Sequence, residues 1–160
     1  MGCDIHLFAE KKVYNYNDKE KSKGRWVSLD KWVEREEFEY KDRPLEVPYK
    51  GGFYTHGRNY NLFSALANVR SHYFIDATFI SEPKGMPRDA SKLVWAACDD
   101  YGTDGHSHSW LTLKELKDFN WKPYGDSVKE FMDEVFPKLE EAKGKERTDE
   151  EVRIVFWFDN

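Results

Sequence analysis

Cysteine is scarce in this chain of 160 residues, which has two, Cys3 and Cys98. They are too few and too far apart for a disulfide framework or a zinc site made of thiolates alone, and they fit a reducing, cytoplasmic compartment. Long apolar runs are missing as well. None approaches the roughly 18 residues that a membrane-spanning helix needs, and the start lacks the basic-then-apolar order of a secretory signal. No membrane partner is expected. Met1-Gly2-Cys3 opens like a myristoylation signal, but His6 stands where that pattern has Ser or Thr. There is no positive excess either, since 25 Lys and Arg face 30 Asp and Glu for a net charge of -5. A sequence-independent grip on duplex DNA or RNA needs many phosphates neutralised, so duplex nucleic acid is not an expected partner. Neither an internal repeat nor a linker interrupts the chain, and its length suits one domain over 1–160.

Aromatic residues are abundant: six Trp, nine Tyr and eleven Phe make 16% of the chain. Charged residues make 34% and the mean hydropathy is -0.85. An aromatic interior under a very polar surface follows.

Between Cys3 and Val13 the apolar residues fall on odd positions, Cys3, Ile5, Leu7, Ala9 and Val13, while Asp4, His6, Glu10 and Lys12 fall on even ones. That alternation predicts a half-buried strand with Asp4 and His6 on one face. A polar turn from Asn15 to Gly24 leads to Arg25-Trp26-Val27-Ser28-Leu29, its hairpin partner, and irregular charged sequence runs on to Tyr40. The Lys-rich stretch Lys19 to Arg25 reads as a solvated loop. Pro44, Pro48, Gly51, Gly52 and Gly57 punctuate an ordered loop that has Tyr49, Phe53 and Tyr54 to bury. A helix capped by Asn59 carries Leu62, Phe63, Leu66, Ala67 and Val69 and closes at Arg70. Asp89 or Ser91 caps a short segment through Trp95, and Thr112 with Glu115 forms a capping box before another short helix. From Asp126 the spacing of Val128, Phe131, Met132, Val135, Phe136 and Leu139 predicts an amphipathic helix ending or kinking near Pro137. A charged connector from Glu140 to Glu151 precedes a buried strand, Val152 to Asp159. The fold class expected is α+β, a small mainly antiparallel sheet of N-terminal strand, hairpin partner and C-terminal strand, packed by two to four helices.

The most chemical stretch runs from Asp99 to Ser109 and is read as a loop. In extended backbone His106 and His108 point the same way, as do Asp4 and His6. Together they offer three imidazoles and one carboxylate, with Asp99, Asp100 and Asp104 in reserve, a donor set suited to zinc, manganese or iron(II). A metal held by Asp4, His6, His106 and His108 would lower the pKa of a bound water, with Asp104 and His106 as catalytic groups, which means hydrolysis. Without a metal the histidines could serve as general acid and base, oriented by Asp4 or Asp104. The plainer alternative has His106 and His108 bracing the turn before Trp110. A nucleophilic Cys3 or Cys98 beside a histidine is a further reading, against the commoner buried structural Cys.

A second constellation, Tyr54-Thr55-His56-Gly57-Arg58-Asn59-Tyr60, places Arg58, Asn59 and Tyr60 at a helix N-terminus, where an anionic, nucleotide-like ligand would be gripped. Against it stands an Arg58 used in a structural ion pair and a Tyr60 used in the core. Lys84 and Arg88 flank Gly85-Met86-Pro87 and could also touch an anion, or simply face solvent.

The opening Met1-Gly2-Cys3-Asp4-Ile5-His6, the segment Arg58-Asn59-Tyr60-Asn61-Leu62-Phe63, Gly85-Met86-Pro87 with Asp89-Ala90-Ser91, and His106-Ser107-His108-Ser109-Trp110-Leu111-Thr112 together resemble a family of small uncharacterised bacteriophage and prophage proteins. The resemblance covers most of the chain. It implies a phage or prophage origin and a setting in the bacterial host's cytoplasm, but no reaction and no catalytic set. Two functions are therefore expected from the residues: a metal-dependent hydrolase of a phosphoester or nucleotide-like small molecule, or a non-catalytic protein that sequesters a nucleotide signal or inhibits a host protein.

Overall fold

The structure, a computed structural model, describes residues 2–14, 24–36, 44–55, 57–71 and 78–160. The fold is α+β. Strands β1 (Asp4–Val13), β2 (Arg25–Ser28), β5 (Gly105–Thr112) and β6 (Val152–Asp159) form an antiparallel sheet in the order β2-β1-β6-β5, and β3 (Val33–Glu34) pairs with β4 (Leu45–Glu46). Four helices, α1 (Tyr60–Ala67), α2 (Lys92–Tyr101), α3 (Leu113–Asp118) and α4 (Lys129–Lys143), are described with them. None is long and apolar enough to cross a membrane.

The alternation read in β1 decides which side of the sheet each residue serves. Cys3, Leu7 and Ala9 join Ile154, Phe156 and Phe158 of β6 in the main core, against α1, α3 and α4. The even positions face the other way, where Phe8 packs with Val155 and Trp157 against Val94 of α2. β6 is thus buried on both faces, which its apolar run Ile154–Phe158 requires. Each fully buried aromatic side chain contributes on the order of 1.5–3 kcal/mol.

Helix starts follow local chemistry. The Asn59 side chain accepts from Leu62 N at 3.1 Å, Ser91 from Val94 N at 3.3 Å, and Thr112 and Glu115 complete a capping box. Asn59 also donates its amide to Ser127 O at 2.7 Å, tying α1 to the approach to α4. Asn59→Ala loses both bonds, and urea denaturation should find it about 1–2 kcal/mol less stable.

Several boundaries differ from expectation. The first helix stops at Ala67, where Asn68 turns left-handed, so Arg70 lies beyond it. Residues Cys98 to Tyr101, expected in a loop, complete α2, because Val94 anchors that helix on Trp157 and carries the next turns with it. The stretch from Gly105 to Ser109 is strand, not loop: β6 has a second edge, and β5 fills it. Pro137 does not end α4, which continues to Lys143 because buried Val135 and Leu139 flank the missing donor and hold the helix on the core. All of the Asn15 to Gly24 turn except Gly24, most of the Lys19 to Arg25 loop, the end of the charged stretch at Tyr40, and His56 lie outside the described residues.

Candidate functional site at one end of the sheet

The strand register sets Asp4 opposite Asp159, and Asp159 opposite Gly105. The start of β1 and the start of β5 are therefore level at one end of the sheet, with the end of β6 between them. Two strand spacings put them about 10 Å apart.

Within β5 the expected i, i+2 geometry fails. Between His106, which pairs with Phe158, and Ser109, which pairs with Phe156, two residues stand opposite one, and Ser107 takes a φ of 54°. This is a β-bulge, and it reverses the side on which the next side chain emerges. His106 stacks on Phe158 at 6.1 Å, whereas His108 stacks on Trp157 at 6.0 Å across the sheet plane. His108 folds over Gly105 so closely that a Cβ there would lie 3.2 Å from its Nε2.

His6 shares the face of His108, with its ring 6.2 Å from Trp157. Its Nε2 lies 3.3 Å from Asp159 Oδ1, within Coulomb reach although not aligned as a hydrogen bond, and its Nδ1 shares a 2.9 Å hydrogen bond with the Tyr101 hydroxyl. The carboxylate favours the proton on Nε2, so Nδ1 accepts from Tyr101. Burial, and then the charges of Asp159, Asp100 and Asp4, push the Tyr101 phenol above its ordinary value.

Asp4, on the same strand, turns to Arg58. Arg58 Nε and Nη2 meet Asp4 Oδ1 and Oδ2 at 2.8 and 3.3 Å, and this bond holds the Asp4 carboxyl below the usual carboxylate range. The guanidinium crosses Gly2, where a Cβ would come within 1.7 Å of Nη1, so the close approach needs glycine. The Tyr60 hydroxyl accepts from Cys3 N at 3.1 Å while its ring packs on Phe63. Asn59 is the helix cap. His106 donates from Nε2 to Asn160 Oδ1 at 3.2 Å and accepts at Nδ1 from Ser107 Oγ at 3.0 Å. Asp104 is exposed in the turn ahead of β5, with no side-chain partner among the described residues.

The four expected metal ligands are thus at one end of the sheet without gathering on one point. Asp4 is committed to Arg58 and His6 to Tyr101 and Asp159, while His106 faces the opposite side from His108. Among the described residues no group of three or more His, Cys, Asp and Glu side chains is arranged to hold a metal ion. Burial raises both the Cys3 and the Cys98 thiol, the reverse of what a nucleophilic thiolate needs. Lys84 is occupied by Glu115 at 2.8 Å and lies over Trp110 at 3.8 Å.

Beside these groups a cavity of about 410 Å³ opens between β1 and the Val47–Gly57 segment, lined by Asp4, His6, Phe8, Pro48, Tyr54, Thr55 and Tyr101. Its size is in the range of small-molecule sites. Sequence reasoning missed Tyr101, Asp159 and Trp157 as site residues. The one available signal was that polar Asp159 and Asn160 end an otherwise apolar strand. Comparison of the chain with family models, with curated proteins and with solved structures gives no match.

Proposed function

We propose that the chain is a binding protein that holds a small nucleotide-like molecule in the cavity beside β1 and leaves it uncut. One observation carries the reading: three of the acid and base groups at this end of the sheet are already paired, Asp4 with Arg58, His6 with Tyr101 and Asp159, His106 with Ser107 and Asn160, which leaves only His108 and the exposed Asp104. The paired groups offer fixed hydrogen-bonding positions, not a free base or an activated nucleophile. Phe8, Pro48 and Tyr54 supply apolar wall for a flat body, and Thr55 and Asp4 supply polar positions for its edge. Around Tyr101 stand Asp159 and two ion-paired carboxylates, Asp100 with Arg35 and Asp4 with Arg58, so the ligand's body is neutral and its anionic end lies toward Arg58, the partner of Asp4. The Arg58–Asp4 pair is about half exposed, with side chains at 54% and 47%. Such a solvent-exposed pair contributes little, so an incoming phosphate readily competes for Arg58. If the chain has the phage origin that its sequence blocks suggest, its task would be to withdraw a host nucleotide signal.

The test is a thermal-shift panel of linear and cyclic nucleotides with chromatography of each nucleotide afterwards. A raised midpoint with intact nucleotide is expected, and Arg58→Ala should weaken nucleotide binding about ten-fold while leaving the parent nucleoside within about two-fold. A metal-dependent hydrolase is the second reading, favoured by His6 and His108 flanking one Trp157 ring. Cleavage that needs added zinc or manganese, stops with chelator and is lost in His6→Ala would replace the binding reading with that one.

A further inference from the structure

A different cavity, of about 900 Å³, lies across the Pro48–Phe53 turn from the first and shares Gly52 with it. Its walls come from β1, the segment after β2, that turn, and the end of α4. Five cationic side chains, Lys11, Lys31, Lys50, Lys138 and Arg147, face it against three carboxylates, Asp30, Glu141 and Glu146, although the whole chain carries -5.

The five cations do two different jobs. Lys138 donates to Phe53 O at 2.8 Å and Arg147 to Lys12 O at 2.6 Å, so these two bind the end of α4 to the opposite walls. Arg147 also meets Glu146 at 3.3 Å, which removes one of the three carboxylates from play. Lys11, Lys31 and Lys50 have no ion-pair or hydrogen-bond partner among the described residues. They come from three separate segments, so their convergence is a product of the fold and not of a charge run in the sequence. Asp30 and Glu141 offset the five cations only in part, so the cavity keeps a positive excess, and an anion placed among the three free ammonium groups lowers their mutual repulsion. Leu29, Phe53 and Ala142 add apolar surface between the charges.

We infer that this cavity is a second ligand site, for a small molecule with several phosphates attached to an apolar body, the chemistry of a nucleoside polyphosphate. Lys11, Lys31 and Lys50 neutralise the phosphates, and the body rests on Leu29 and Phe53. The site stands independently of the cavity at Asp4 and uses none of its residues except Gly52.

Inorganic triphosphate and ATP serve as probes in calorimetric titrations at low salt. Triphosphate is expected to bind with an affinity that falls as salt rises, and ATP to bind more tightly than triphosphate. The triple variant Lys11→Gln, Lys31→Gln, Lys50→Gln should weaken both by at least about ten-fold. Since the three amines hold no ion pair or hydrogen bond among the described residues, its circular dichroism should match wild type and its thermal midpoint should not fall, and the corresponding triple arginine variant should retain binding. Arg58→Ala should change triphosphate affinity by less than about two-fold, which separates this site from the other. The inference fails if wild type takes up no triphosphate, or if the glutamine variant binds it as well as wild type does. Equal affinities for triphosphate and ATP would overturn the apolar half of the assignment.

Discussion

Replacing Arg153 with alanine is expected to lower the unfolding free energy by about 3–5 kcal/mol, because it strands a buried carboxylate. Glu10 and Arg153 are cross-strand partners in the middle of the sheet, at 0% and 2% exposure. Arg153 Nε donates to Glu10 Oε1 at 2.9 Å, with Nη2 2.8 Å from the same oxygen. Nη1 reaches Asp89 at 3.0 Å, and the other Glu10 oxygen accepts from Ser91 N at 2.7 Å. The guanidinium also lies 3.8 Å from the Trp26 ring centre and 5.6 Å from that of Trp110. Alanine removes the stack, the partner of Glu10 and the anchor of Asp89 together. The damage travels toward the site, since Ser91 caps α2 and Tyr101 closes it. Urea denaturation measures the loss. A cost below about 1 kcal/mol would mean that Glu10 finds water or protonates instead. The double variant Glu10→Leu, Arg153→Met should regain much of the stability, because two apolar side chains need no compensation there.

Asparagine at position 30 is expected to stabilise the protein near pH 7.5 by up to about 3 kcal/mol and to do almost nothing below pH 4. Asp30 sits where β2 leaves β1. Its Oδ2 accepts from Ala9 N at 3.0 Å, next to the last ladder bond from Leu29 N to Ala9 O at 2.8 Å, so it ends the ladder in place of another strand. Burial, only partly offset by hydrogen bonds from Ala9, Ser28 and Phe53, pushes its carboxyl up to about 6 from 3.8. A carboxyl that is harder to ionise when folded holds its proton more tightly in the native state. Its contribution is therefore complete below about pH 3.8 and lost as the pH rises through about 6. Asp4, Glu140 and Asp149 run the opposite way, held low by Arg58, Lys117 and Lys143 in that order, but they are well exposed and their pairs are weak. The difference between variant and wild type isolates Asp30. Asparagine keeps an acceptor for Ala9 N, whereas Asp30→Ala should destabilise by orphaning that buried donor. An Asp30→Asn protein no more stable than wild type at pH 7.5, or a difference that ignores pH, would contradict this account.

Much of the architecture was legible because it rests on nearest-neighbour chemistry. The period of β1, the apolar run of β6, the stripe of α4, the Asn59 and Ser91 caps and the Thr112–Glu115 box are each settled within a few residues of sequence. The candidate site was legible only as an inventory. Asp4, His6, Arg58 and His106 do sit at one end of the sheet, but the pairing that gives each its job could not be read. Arg58 meets Asp4 across 54 residues, and Tyr101 meets His6 across 95. Nor does composition forecast a left-handed Ser107, since serine has no special liking for that conformation. The strand pairing with β6 imposes it, and that one torsion sends His106 and His108 to opposite faces.

By itself the sequence determined the α+β class, the strands β1, β2 and β6, the Asn59 cap and the Thr112–Glu115 box, and the absence of an apolar run long enough for a bilayer, because periodicity and capping act over short separations along the chain. Tertiary structure alone decided that β5 lies on the far side of β6, that Arg153 neutralises Glu10, and that Lys11, Lys31 and Lys50 share a cavity. Those outcomes depend on which distant segments can bury their apolar faces together, and a charge's partner is fixed only once that packing has placed it.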